Sequence, residues 1–380
     1  MKLNHIEVFK YVVFIVLFYF LLIPSIFHFF GLLEQSKYFG ELAKSNTSIF
    51  FFIFISNFIL FLGFTLALTK SLNISNNQNW FNFEYVSFKR SLIALVYCCL
   101  VYLVWSSLEN FSLDRSEVKE EVTFLSSTFL IFTLTASSYL MMKEKNFLII
   151  LPMSFFILVL AFSFSERELL LYAGLPIFIR FSVNYGRSMF FFLGLLGMLS
   201  ILLFKVVSVE ARNNFEFTDN SKERISWYLT NFANDALVKY ELENAYLLGD
   251  SPQYNKLTYL SPFQIFRLID ETHTSNGRIA TSYYTNGYMG TGFSALLESW
   301  QNFSYLGPFV SPIFLFIVLV FTFRFGGTVL LIPLLVFLVK FLRGEFWTAY
   351  MIYITFPFIF LILKRLFVSR SIFLREYELT

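Results

Sequence analysis

The stretch FLIILPMSFFILVLAFSFSERELLLYAGLPIFIR, residues 147–180, decides the fold class. From Phe147 to Phe164 it carries no charge. Glu166, Arg167 and Glu168 then crowd into one turn, and no further charge follows until Arg180. A helix needs about 17–25 apolar residues to cross a hydrocarbon layer of roughly 30 Å. The stretch therefore reads as two membrane spans, 147–165 and 169–183, joined by a very short turn.

The same reading extends in both directions. Apolar runs occur at 11–33, 48–69, 91–108, 123–142, 188–208, 303–323, 327–342 and 346–366. The 11–33 run is too long for a cleavable signal peptide, and no small-residue cleavage site follows it. The expected fold class is an all-α polytopic membrane protein of about ten transmembrane helices with a large helical outer loop. Composition agrees: of 380 residues 57% are hydrophobic, 54 are Phe and only 14% are charged, well below the roughly 25% of soluble domains. Mean hydropathy is +0.64. A net charge of +3 excludes a nucleic-acid partner as the expectation. Cys98 and Cys99 are adjacent within one run and make neither a disulfide scaffold nor a metal site. No phosphate-binding glycine loop, CxxC or Asp-x-Asp pair occurs, so no metal or cofactor is expected.

Lys and Arg in short loops set the orientation. With the N-terminus inside, fourteen basic residues, among them Lys10, Lys70, Lys145 and Arg187, fall on the cytoplasmic side. Seven fall on the outer side: Lys37, Lys44, Arg115, Lys119, Arg167, Lys340 and Arg343. Both termini are then cytoplasmic. The organisation becomes 1–208, seven spans; 209–302, an outer segment; and 303–380, the last spans and a cytoplasmic tail.

The outer segment has its own order. Asn220 and Glu223 read as a capping box, and Ile225, Leu229, Phe232, Ala236 and Tyr240 recur at helical spacing before Gly249 and Pro252. An amphipathic helix over 221–248 follows, lying on the bundle or in the interface plane. A second short helix starts at Ser261-Pro262. Residues 293–301 are expected to form a short helix dipping back toward the bundle.

The polar residues near the outer face are the candidates for chemistry. Arg167, in its tight turn, carries a planar cationic fork suited to phosphate oxygens; the alternative is a solvated turn with Arg167 paired to Glu166 or Glu168. Arg278 lies in a polar turn with Asp270, Glu271 and His273 nearby. His273 is suited to proton transfer near neutral pH, and the alternative is a surface histidine. Glu298 sits in an apolar stretch where a carboxylate needs a partner or a cavity. Either Arg167 or Arg278 would satisfy it; a glutamate at the headgroup level is the alternative. Arg343 and Glu345 form the last outer turn and belong to the same site or pair with each other. Tyr283, Tyr284 and Tyr288 would stack on sugar faces, or serve as interfacial tyrosines.

These residues, in this order, resemble a family. Ser165-Glu166-Arg167 follows a mid-chain span, and a large outer loop comes next. Gly290-x-Gly292 then precedes Glu298, and Asn302-Phe303-Ser304-Tyr305-Leu306-Gly307 leads into the next span. The pattern resembles the Wzy-type O-antigen (oligosaccharide repeat unit) polymerases over nearly the whole chain. Many members read Ser-Arg-Gly where this chain has Ser165-Glu166-Arg167-Glu168.

The resemblance implies a GT-C-like bundle in the bacterial inner membrane with its active site facing the periplasm. The implied reaction is a metal-independent glycosyl transfer. Donor and acceptor are both undecaprenyl-pyrophosphate-linked oligosaccharides, with a chain-length regulator as a further partner. A sugar hydroxyl attacks the anomeric carbon of the donor, and undecaprenyl pyrophosphate leaves. Arg167, Arg278 and Arg343 would bind the pyrophosphate. Glu298, His273 and Arg278 would do the catalytic work, and the three tyrosines would contact the glycan. The competing readings are an O-antigen ligase, which shares the topology and would suit His273, and a lipid-linked oligosaccharide flippase. The stretch from Asn302 to Gly307 favours the polymerase. No internal repeat of the transporter kind is visible.

Overall fold

A computed structural model describes residues 5–29, 47–76, 89–107, 124–144, 146–164, 168–197, 240, 242–244, 246–247, 294–326, 330–342, 346–355, 357 and 359. The elements of the described residues are helical. They are α1 His5–Leu21, α2 Ile23–Phe29, α3 Thr47–Asn76, α4 Lys89–Ser107, α5 Phe124–Lys143, α6 Phe147–Phe164, α7 Leu169–Tyr185 and α8 Arg187–Gly197. Then come α9 Ala295–Phe303, the 3₁₀ turn Ser304–Leu306, α10 Gly307–Gly326, α11 Leu331–Phe341 and α12 Phe346–Tyr350, which runs into the π-turn Met351–Thr355.

Among the described residues, four helical stretches are long and apolar enough to cross a membrane: Thr47–Asn73, Arg90–Ser107, Phe147–Phe164 and Ala295–Thr322. The last joins α9 and α10 through the 3₁₀ turn. Shorter apolar helices lie at Phe129–Met142, Leu169–Tyr185, Arg187–Gly197 and Leu331–Phe341. Leu148, Phe155, Trp105, Phe191 and Ile317 project outward from this bundle, exposed. Such an apolar exterior is matched to lipid rather than to water.

The central seam is α3 against α10. Phe52 meets Tyr305 edge-on and Gly63 meets Pro312, so the two helices run parallel. A Cβ on Gly63 would collide with the Pro312 ring. The missing side chain is what lets the backbones approach, the usual reason for a small residue at a membrane helix crossing. α1 packs antiparallel on α3, through the Lys10–Asn73 bond and the edge-on Phe14–Phe61 contact, and the Phe29–Phe50 stack continues the packing along α2. α4 lies parallel to α6, with Tyr97 donating to the Ile149 carbonyl and Ser107 to Ser163 Oγ.

Some polar groups inside the bundle return to the backbone. Thr133 Oγ1 donates to the Phe129 carbonyl and Ser137 Oγ to that of Thr133. In an apolar surrounding this local satisfaction is what makes serine and threonine tolerable mid-helix.

Candidate functional site

The site is built around α9. Ser294 caps it: its Oγ accepts the N–H groups of Leu296 at 3.2 Å and Leu297 at 3.4 Å. Capping satisfies amides that the first helical turn leaves without partners. Every residue from Ser294 to Asn302 is buried. The helix expected over 293–301 is thus present, and it is packed inside the protein rather than resting on it.

α9 closes onto α10 through small residues. Ser311 Oγ donates to Ser299 Oγ at 2.8 Å, and a Cβ on Gly307 would collide with the Ser299 carbonyl. Ser304 turns the chain with a positive φ of 52°. Asn302 Nδ2 donates to the Glu298 carbonyl at 2.8 Å. The stretch Asn302 to Gly307 has a direct structural task here. Asn302 holds the last turn of α9, and Gly307 lets the next helix pass it.

Glu298 is 1% exposed. Its Oε2 accepts the backbone N–H of Phe346 at 3.0 Å. The sequence points to an arginine as its partner; the described one is a main-chain amide just past the Arg343 turn. Leu342 and Phe346, which bracket that turn, are both fully buried. α11 is short, ending at Phe341 beside Phe64 in the middle of α3. The residues that flank the turn are therefore packed inside the bundle, and Phe346 is bonded to α9.

The other arginine turn is tied to the same place. Lys340 Nζ lies 3.0 Å from Glu168 Oε1, with the lysine side chain 29% exposed and the glutamate 7%. Glu168 follows Arg167, and Lys340 precedes Arg343 by three residues. Glu168, Lys340, Phe346 and Glu298 thus link the flanks of two expected arginine positions to the helix carrying the expected carboxylate. Arg167, Arg343, His273, Arg278, Tyr283, Tyr284 and Tyr288 themselves lie outside the described residues.

One buried carboxylate beside the site does not stand out in the sequence. Glu243 is fully buried, accepts a hydrogen bond from Asn57 Nδ2 at 2.8 Å, and accepts another from Ser294 Oγ. A signal for it exists: Ala236, Tyr240, Glu243 and Leu247 follow helical spacing, which places a carboxylate on an apolar face. Residues 242–244 and 246–247 are helical, as the 221–248 reading requires, and this end is wedged into the bundle. Tyr240 meets Phe50, and Tyr246 stacks on Trp300, which stacks in turn on Phe52.

Two side chains on α9 carry further buried polar atoms. The Trp300 indole N–H and both amide atoms of Gln301 are buried without a hydrogen-bond partner among the described residues. Groups of three or more His, Cys, Asp or Glu able to hold a metal do not occur among the described residues. No protein-family model matches the chain, and no curated protein or solved structure matches it.

Proposed function

We propose that this chain is a membrane glycosyltransferase of the O-antigen polymerase kind. It joins undecaprenyl-pyrophosphate-linked oligosaccharide repeat units at the periplasmic face of a bacterial inner membrane. The observation that carries the reading is the convergence on α9. A buried carboxylate, Glu298, is bonded to the chain just beyond Arg343, while the Glu168–Lys340 pair ties the Arg167 turn to α11.

The chemistry asks for this combination. The leaving group is a pyrophosphate, whose developing charge is stabilised by fixed cations. Arg167, Arg278 and Arg343 supply guanidinium forks that match its oxygens without a metal. The attacking sugar hydroxyl gives up its proton to a nearby base, for which Glu298 and His273 are the candidates. The unpartnered amide of Gln301 and indole of Trp300 suit hydroxyl groups, since buried polar atoms want a partner from protein, water or ligand. Tyr283, Tyr284 and Tyr288 offer ring faces for the sugars.

The test is genetic and chemical. In a strain lacking its own polymerase, the chain should convert single-repeat lipopolysaccharide into a ladder when the matching repeat unit is made. The same cells report the ligase reading: loss of all glycan transfer to lipid A core in the absence of this chain would favour it. Neither ladder nor core transfer depending on the chain would sink the proposal.

A further inference from the structure

Glu243 joins three parts of the molecule through one carboxylate. It belongs to the outer segment, binds Asn57 on α3 through Oε2, and binds Ser294 through Oε1. Ser294 Oγ is at the same time the acceptor for the first amides of α9, and the Ser294 carbonyl accepts the Glu298 N–H at 3.0 Å. The Ser294 hydroxyl has one proton, and Glu243 takes it. That leaves the oxygen lone pairs facing Leu296 and Leu297, the geometry a cap requires. One helical turn later stands Glu298, bonded to Phe346. A fully buried carboxylate is tolerated only where donors converge on it. The aromatic packing of Tyr240 and Tyr246 holds Glu243 where they do.

We infer that Glu243 is a positioning residue for Glu298. It fixes the rotamer of Ser294, hence the start and rotation of α9, hence the place of the Glu298 carboxylate. It also makes that place depend on the outer segment being docked between α3 and α9. The inference rests on the proposed function for its catalytic meaning, and it concerns hydrogen-bond geometry rather than the charge of Glu243. The Oδ1 atom of Asn57 has no hydrogen-bond partner among the described residues. If Glu243 becomes an amide, Asn57 can turn over and accept from it, and the remaining oxygen still accepts from Ser294.

The experiment compares Glu243→Gln, Glu243→Ala and Ser294→Ala in the full-length protein, by glycan ladder synthesis and by hydrogen exchange of the peptide 294–303. Glu243→Gln should keep both near wild type. Ser294→Ala and Glu243→Ala should speed exchange in that peptide and slow ladder synthesis about tenfold to a hundredfold, the scale of a misplaced reacting group. Ser294→Ala is the milder change and decides the matter if Glu243→Ala fails to accumulate. Unchanged exchange or a normal ladder in Ser294→Ala would overturn the inference. So would a lost ladder with wild-type exchange in Glu243→Gln, which would make the charge itself the active feature. If the wild-type chain makes no ladder, the proposed function fails while the exchange measurements still decide whether Glu243 positions α9.

Discussion

Glu298 and Phe346 are joined by one hydrogen bond, 3.0 Å from the Phe346 amide nitrogen to a carboxylate oxygen, across 48 residues of chain. Both residues are buried, and the bond ties the start of α12 to the helix containing Glu298. Glu298→Gln keeps an oxygen for the Phe346 amide but loses the charge. It should leave protein abundance near normal and abolish the ladder. Glu298→Ala leaves a buried amide unsatisfied, at a cost of about 1–3 kcal/mol, and should lower the unfolding temperature in detergent as well. A normal ladder from Glu298→Gln would remove Glu298 from the chemistry.

The arginines are expected to act through their fork as well as their charge. Arg167→Lys and Arg278→Lys keep a cation and lose bidentate geometry, so ladder synthesis should fall while abundance holds. Loss of the protein together with the ladder would assign them to the fold.

The Glu168–Lys340 pair separates structure from charge. Lys340→Met removes this cation from a carboxylate that is 7% exposed, whereas Glu168→Gln removes this anion from a lysine that is 29% exposed. The first should destabilise more. The penalty should stay below the roughly 3–5 kcal/mol of a fully buried broken pair, because the lysine side is partly wet. Thermal unfolding of the two variants in detergent measures the order, and equal stabilities would refute it.

At the α3–α10 seam, Gly63→Val forces atoms into Pro312, where even a Cβ would overlap the ring carbons. Overpacking of this kind costs about 1–3 kcal/mol, and abundance and unfolding temperature should drop. A Cβ on Gly174 would meet nothing within 4 Å, so Gly174→Ala is the matched control. It should be neutral or stabilising by up to about 1 kcal/mol from helix propensity.

Two further expectations concern the reaction and the orientation. With arginines neutralising the pyrophosphate, ladder synthesis in membrane vesicles should survive a chelator. Loss of activity that magnesium or manganese restores would contradict the arginine mechanism. On a background lacking Cys98 and Cys99, a cysteine placed at Arg187 should be labelled only from the cytoplasmic side, and one placed at Asn276 only from outside. Outside labelling at position 187 would invert the topology.

The helices are legible in the sequence because hydrophobicity is a local property. The runs at 48–69, 91–108, 123–142, 147–165 and 169–183 match α3 to α7 within a few residues at most ends, and α3 extends seven residues further, to Asn76. Its extra turns are polar enough to escape a hydropathy reading yet continue the same backbone hydrogen bonding. Glu298 is legible too, as a carboxylate in an apolar stretch. Its partner is not. A long-range hydrogen bond leaves no trace in spacing, and Phe346 offers a main-chain amide that every non-proline residue has.

What the sequence determined by itself is which segments are apolar enough to leave water, where the chain turns, and which charged residues stand at those turns. Tertiary structure decided how these meet. It chose Asn57, 186 residues away, as a partner for Glu243, paired Glu168 with Lys340, and bonded Phe346 to Glu298 on α9. The physical reason is that burial in an apolar surrounding is set by composition, residue by residue. The pairing of buried polar groups depends on helix rotation and crossing, which only the packed bundle fixes.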